Sequence, residues 1–168
     1  MGSGISTKYE NTYFYTRDEE DLFVSERTER YTADDTHTIE YNNDEKVMRY
    51  CDEMVSREPD ATSSYTDNAL KASQNFELNE QGFFGKRSQQ NVWTIDSEDP
   101  MSSAMDFYSK ISDGGATEYL PNRHGIQTEL CDGTKTFFRP YPKSEGCPAV
   151  EIRFSMENVM RKIHFIKR

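Results

Sequence analysis

The sequence predicts an α+β fold, with helices packed on one face of a small antiparallel C-terminal sheet and an acidic, partly irregular region ahead of it. Three observations carry this. Two segments place apolar residues at helical spacing, five short runs of β-type residues follow the second of them, and turn signals separate those runs. A length of 168 residues bounds the chain to one domain or a domain with an annex. The expected division is an acidic N-terminal region over residues 1–81, holding one amphipathic helix at about 44–57, and a helix-plus-sheet domain over residues 82–168.

From Lys8 to Asn43 the chain is rich in Tyr, Thr, Asp and Glu and keeps no period of 3.6, which reads as a loose or weakly strand-forming segment. Val47, Tyr50, Cys51, Met54 and Val55 then share one side of a helix, with Asn43 or Asp44 placed to cap it and Pro59 to stop it. The polar stretch 60–90 reads as a connector, with a weaker helical piece around Asp67 to Gln74 and a turn-prone aromatic hinge at Gly82-Phe83-Phe84-Gly85. The second full helix is better marked. Asp99 is an N-cap, Pro100 fits the first helical position, and Met101, Ala104, Met105, Tyr108 and Ile111 keep helical spacing up to Gly114-Gly115. The five β-type runs are 116–120, 126–130, 134–139, 149–154 and 162–166, with Asp132-Gly133 as a hairpin signal between the second and third. Trp93 is expected to lie in the core beneath the sheet.

Charge sharpens the division. The whole chain carries −10, with 20 basic and 30 acidic residues, a balance that argues against a nucleic-acid or anionic-membrane partner. Residues 120–168, however, hold nine Lys/Arg against five Asp/Glu, a net +4, which leaves −14 on the first 119. The better-patterned half is therefore basic, and opposed charge on two halves is a hint of an interaction surface, the alternative being charge spread unevenly by chance or for solubility alone. Mean hydropathy is −0.93, so the 10 Tyr and 10 Phe must supply much of the core.

Strand alternation separates two faces. Val150, Ile152, Phe154, Ile163 and Phe165 form an apolar side that should meet the second helix, leaving Glu151, Arg153, Lys162 and His164 on the open side, where Lys135 or Arg139 can join them. Metal-independent RNA cleavage needs a base for the 2′-hydroxyl proton, an acid for the leaving 5′-oxygen, and cations for the phosphorane charge. Glu151, His164 and Arg139 are the candidate catalytic residues, with Arg153, Lys162 and Lys135 as phosphate-binding cations and His124 as a second acid/base candidate beside the second run. A half-exposed sheet also carries polar residues for solvation alone. Cys51, Cys131 and Cys147 show no paired metal spacing and read as idle or buried thiols, with a Cys131–Cys147 bridge conceivable on export.

The stretch Asp132-Gly133-Thr134-Lys135-Thr136-Phe137-Phe138-Arg139-Pro140, then Lys143-Ser144-Glu145-Gly146-Cys147-Pro148-Ala149-Val150-Glu151-Ile152, and finally Arg161-Lys162-Ile163-His164-Phe165, resembles the C-terminal toxin domains of bacterial polymorphic toxin systems. Those domains are similar in layout to barnase and its colicin and toxin–antitoxin relatives, and the resemblance spans residues 82–168. It implies helices on one antiparallel sheet, cleavage of RNA, and a cognate immunity protein as partner; Arg139 and Ser144 match the family's Arg and Ser positions. The bulky Glu145 and the acidic N-terminal half depart from the pattern.

The competing expectation is a non-catalytic acidic protein, immunity-like or accessory to a mobile element, whose −14 half docks on a basic protein partner. No phosphate-binding Gly-rich loop, zinc spacing or serine-nucleophile elbow occurs, so neither reading calls for a metal or cofactor. The lack of an 18-residue apolar run and of a basic-then-apolar leader predicts no membrane association, and either a cytoplasmic location or export by a signal-peptide-independent route.

Overall fold

A computed structural model describes residues 15–20, 22–23, 35–142 and 146–168, with side chains from residue 45 onward. The described chain has two compact units. One holds the first long helix and the segment Tyr119–Ile126; the other holds Ser56–Glu118 and Gln127–Arg168.

In the first unit, Tyr15–Glu20 (β1) and Leu22–Phe23 (β2) pair antiparallel and precede helix α1, Asp35–Ser56. The expected helical face is there, with Val47, Cys51 and Met54 buried. The start is not where the capping residues put it, because α1 runs through Thr36–Tyr41, a stretch read from sequence as loose or strand-forming. No Gly or Pro interrupts 35–56, so Asn43 and Asp44 lie inside a continuing helix. Near the other end, Asp52 accepts a hydrogen bond from the Tyr119 hydroxyl and lies 4.0 Å from the Arg123 guanidinium, which stacks 4.3 Å over the Tyr119 ring. Burial, reinforced by the Asp52 carboxylate, pushes the Cys51 thiol well above its ordinary value.

The second unit is helices on a sheet, as α+β requires. Its elements are α2 (Tyr65–Ala72), β3 (Lys86–Gln89), β4 (Val92–Ser97), α3 (Pro100–Ile111), β7 (Lys135–Arg139), β8 (Ala149–Arg153) and β9 (Arg161–Lys167). Between α3 and β7 come β5 (Ala116–Tyr119) and β6 (Ile126–Glu129). The sheet order is β3-β4-β9-β8-β7-β6-β5. Most pairings are antiparallel, but β4 and β9 run parallel, with Val92 opposite Lys162 and Thr94 opposite His164. A pure C-terminal meander omits both this pair and the β3–β4 hairpin. Trp93 is a strand residue of β4, opposite Ile163, and it lies in the core as expected, its ring 4.7 Å from that of Phe83.

Helix α3 forms as its ends dictate. The Asp99 carboxylate accepts from the Ser102 N–H at 3.1 Å, Pro100 occupies the first turn, and Gly114 follows at φ +82°, a conformation that favours glycine. The helix lies across the sheet and α2 packs on it. Phe107 is fully buried among Phe84 at 4.9 Å, Phe76 at 5.1 Å and Phe165 at 5.7 Å between ring centroids. Residues 60–90, read from the sequence as a connector, are thus part of the packed unit. Phe83 and Phe84, read as a hinge, are both buried. Asn68 of α2 is buried and donates to the carbonyls of Ile111 and Asp113, satisfying the end of α3.

A carboxylate ties the start of α2 to the β6–β7 turn. Asp132 accepts from the Tyr65 N–H at 2.8 Å and, within the turn, from the Thr134 N–H at 2.9 Å. Partial burial acts to raise this carboxyl, but these bonds and the Thr134 hydroxyl outweigh it and hold it below its usual value. A carboxyl held low in the folded state contributes stability above its unfolded value, about pH 4, and that contribution fades as pH falls through the folded value. Asp132→Asn keeps the Asn-Gly turn chemistry and removes the charge. Its stability deficit is expected to be present at about pH 6 and to shrink at about pH 3, as read from urea midpoints at the two pH values.

Candidate functional site

Register across β7, β8, β9 and β4 decides which side chains share the face away from α3. One transverse row runs Arg139, Ala149, His164, Thr94 and then Lys86 of β3; the next runs Phe137, Glu151, Lys162 and Val92; Lys135 and Arg153 are paired one step further along. The opposite face carries Thr136, Phe138, Val150, Ile152, Ile163 and Phe165, all fully buried.

Glu151 is the electrostatic centre of the face. Its carboxylate accepts from Arg139 Nε at 3.1 Å and lies 3.8 Å from Lys162 Nζ, with its own side chain only 8% exposed. The two cations keep about a third of their side chains in solvent, at 36% and 34%, so an incoming anion meets them before it meets Glu151. The Arg139 guanidinium also sits 5.8 Å above the Phe137 ring, which restricts its orientation. His164 is buried between β4 and β8, two residues along β9 from Lys162. Glu151 and His164 are therefore diagonal cross-strand neighbours, a relation that spaces Cα atoms by about 7–8 Å. Small Ala149 separates His164 from Arg139 within the row.

No protein-family model, curated protein or solved structure matches the chain.

Of the sequence-predicted residues, Glu151, His164, Arg139, Lys162, Arg153 and Lys135 share this face, with Arg153 exposed and Lys135 half-buried. His124 does not belong to a strand. It follows the short turn of 3-10 helix Pro121–Arg123 in the β5–β6 connection, within the unit that holds α1. Ser144 lies outside the described residues. Two members of the face were not foreseen, Thr94 and Lys86, because the β3–β4 hairpin was not recognised; the β-rich run Val92-Trp93-Thr94-Ile95 after Asn91, at φ +63°, is the signal that marks it.

Cys147 is a further neighbour. Its Sγ lies 3.6 Å from His164 Nδ1. All three cysteines are free thiols, so the bridge between Cys131 and Cys147 is not formed. A cleft of about 430 Å³ elsewhere in the same unit is lined by Asp60, Gly114, Glu129 and Cys131 among others, and includes none of the predicted site residues. Among the described residues no group of three or more His, Cys, Asp and Glu gathers to hold a metal ion, and no helix is long and apolar enough to cross a membrane.

Proposed function

We propose that the chain is a metal-independent, toxin-like endoribonuclease, with Glu151 and His164 as its acid/base pair and Arg139, Lys162, Arg153 and Lys135 as phosphate-binding cations. The observation that supports it is the Glu151 carboxylate held by Arg139 and Lys162 one diagonal step from His164. Five cations, Lys86 included, against the carboxylates Glu151 and Asp96 give this face a positive balance beside an imidazole, which suits a phosphodiester better than a neutral substrate.

In this reading the phosphate exchanges places with the carboxylate. Arg139 and Lys162 bind non-bridging oxygens, and Glu151, relieved of its ion pairs, takes the 2′-hydroxyl proton as the 2′-oxygen attacks phosphorus. The phosphorus–5′-oxygen bond breaks, His164 protonates the leaving oxygen, and a 2′,3′-cyclic phosphate remains on the upstream fragment. A diagonal spacing of about 7–8 Å leaves room for one phosphate between acid and base. The similarity of residues 82–168 to toxin domains points the same way and adds an immunity protein as a binding partner.

The test is incubation of the purified chain with total RNA in EDTA. Cleavage is expected, and His164→Gln and Glu151→Gln are each expected to slow it by about a hundredfold or more. Intact RNA, or undiminished cleavage by a folded double variant, would remove the assignment.

A further inference from the structure

We propose that Cys147 is an oxidation site, a thiol that His164 activates for reaction with hydroperoxides to give a sulfenic acid. The inference stands apart from RNA cleavage, and a protein inert toward RNA would still show it.

The geometry that carries it is a paired one. Cys147 Sγ and His164 Nδ1 are 3.6 Å apart, within reach for the thiol proton to pass to the imidazole and leave a thiolate–imidazolium pair. The pair is held by backbone on both sides. His164 is fixed between Ala149 of β8 and Thr94 of β4, and the carbonyl of Pro148, the residue after Cys147, accepts from the Phe165 N–H, the residue after His164, at 3.0 Å. A thiol so tied cannot swing far from its base. Cys147 is only half-buried, whereas the ring beside it is 7% exposed. Arg139 and Lys162 on the same face add positive potential, the setting in which thiolates are favoured.

The other two cysteines supply the contrast. Cys51 is buried and its thiolate is disfavoured. Cys131 is exposed, but its Sγ lies 3.3 Å from the Asp60 carbonyl, in the cleft that carries Asp60 and Glu129, and its thiol donates there. Accessibility alone therefore ranks Cys131 first, while activation ranks Cys147 first.

In the reaction the thiolate attacks one peroxide oxygen and the O–O bond breaks. Sulfur loses two electrons to the peroxide, and the departing hydroxide or alkoxide takes the proton from the His164 imidazolium. The products are Cys147 sulfenic acid, neutral His164, and water or an alcohol.

The experiment treats the full chain with hydrogen peroxide in the presence of dimedone, which traps sulfenic acids, and follows each cysteine by peptide mass spectrometry. The adduct is expected on Cys147 about tenfold or more faster than on Cys131, with Cys51 unlabelled. His164→Gln is expected to bring Cys147 down to the Cys131 rate and leave Cys131 unchanged. A Cys147 rate at or below that of Cys131 overturns the proposal, as does an unaltered Cys147 rate in a His164→Gln protein whose near-ultraviolet Trp93 signal is native. If that variant does not fold, the ranking of the three thiols in the unaltered chain decides by itself.

Discussion

Phe107→Ala is expected to destabilise the protein by about 3–5 kcal/mol, the range for deleting a buried aromatic side chain. The ring is fully buried in the middle of an aromatic cluster, with Phe76 and Phe84 edge-on and Phe165 of β9 tilted against it. Truncation leaves a cavity bordered by three rings from three separate stretches of the chain, so collapse around it is limited and the loss belongs at the upper end of the range. Each edge-on ring pair also forfeits about 0.5–1.5 kcal/mol beyond its area. At about 2–4 °C per kcal/mol, the midpoint of thermal unfolding should fall on the order of 10 °C. Calorimetry of the full chain checks this, and a shift of only a degree or two would mean that the helix does not bind the sheet through this ring.

Glu151 carries the second large effect, and two substitutions separate its structural role from the proposed catalytic one. Removing a carboxylate from between two cations leaves like charges facing each other across β7 and β9, at a cost that reaches about 3–5 kcal/mol when the charges are fully buried. Here Arg139 and Lys162 keep about a third of their side chains in solvent and can turn toward water, so Glu151→Ala should cost about 1–3 kcal/mol. Glu151→Gln retains the shape and an acceptor for Arg139 Nε and should cost less, while lacking any capacity to take a proton. A base at this position predicts that the amide loses RNA cleavage as completely as alanine does although it is the more stable variant. If cleavage instead tracks stability through the two variants, Glu151 is an organiser of the cations and not the base.

The parts of the fold legible in the sequence are those fixed by neighbours in the chain. Helix α3 declared itself by Asp99, Pro100 and its apolar spacing, and the β8 and β9 faces by strict alternation, which is why Glu151, Lys162 and His164 were placed on one side of the sheet from the residues alone. What stayed hidden depends on register between distant segments. Nothing local in Val92–Ser97 says that it lies parallel to Arg161–Lys167, and nothing in Cys147 says that His164 sits opposite Ala149 two residues on. The connector reading of 60–90 fails for a related reason. Its composition is polar, and its contribution to the core rests on isolated residues, Asn68, Ala72 and Phe76, that become meaningful only against α3. The early start of α1 shows that capping residues end a helix only where the chain ahead leaves it.

The central place of β9 bears on how the protein is made. Val92–Ser97 waits with one side unpaired until Arg161–Lys167 has been synthesised, and only then are β4 and β8 joined, through β9 between them. At roughly 5–20 residues per second that interval is on the order of seconds, and pairing across so long a stretch of chain is intrinsically slow. Lys162 and His164 arrive on that same strand. Until that strand has been made, a nascent chain therefore carries neither a closed sheet nor the face on which Glu151, Lys162 and His164 stand together.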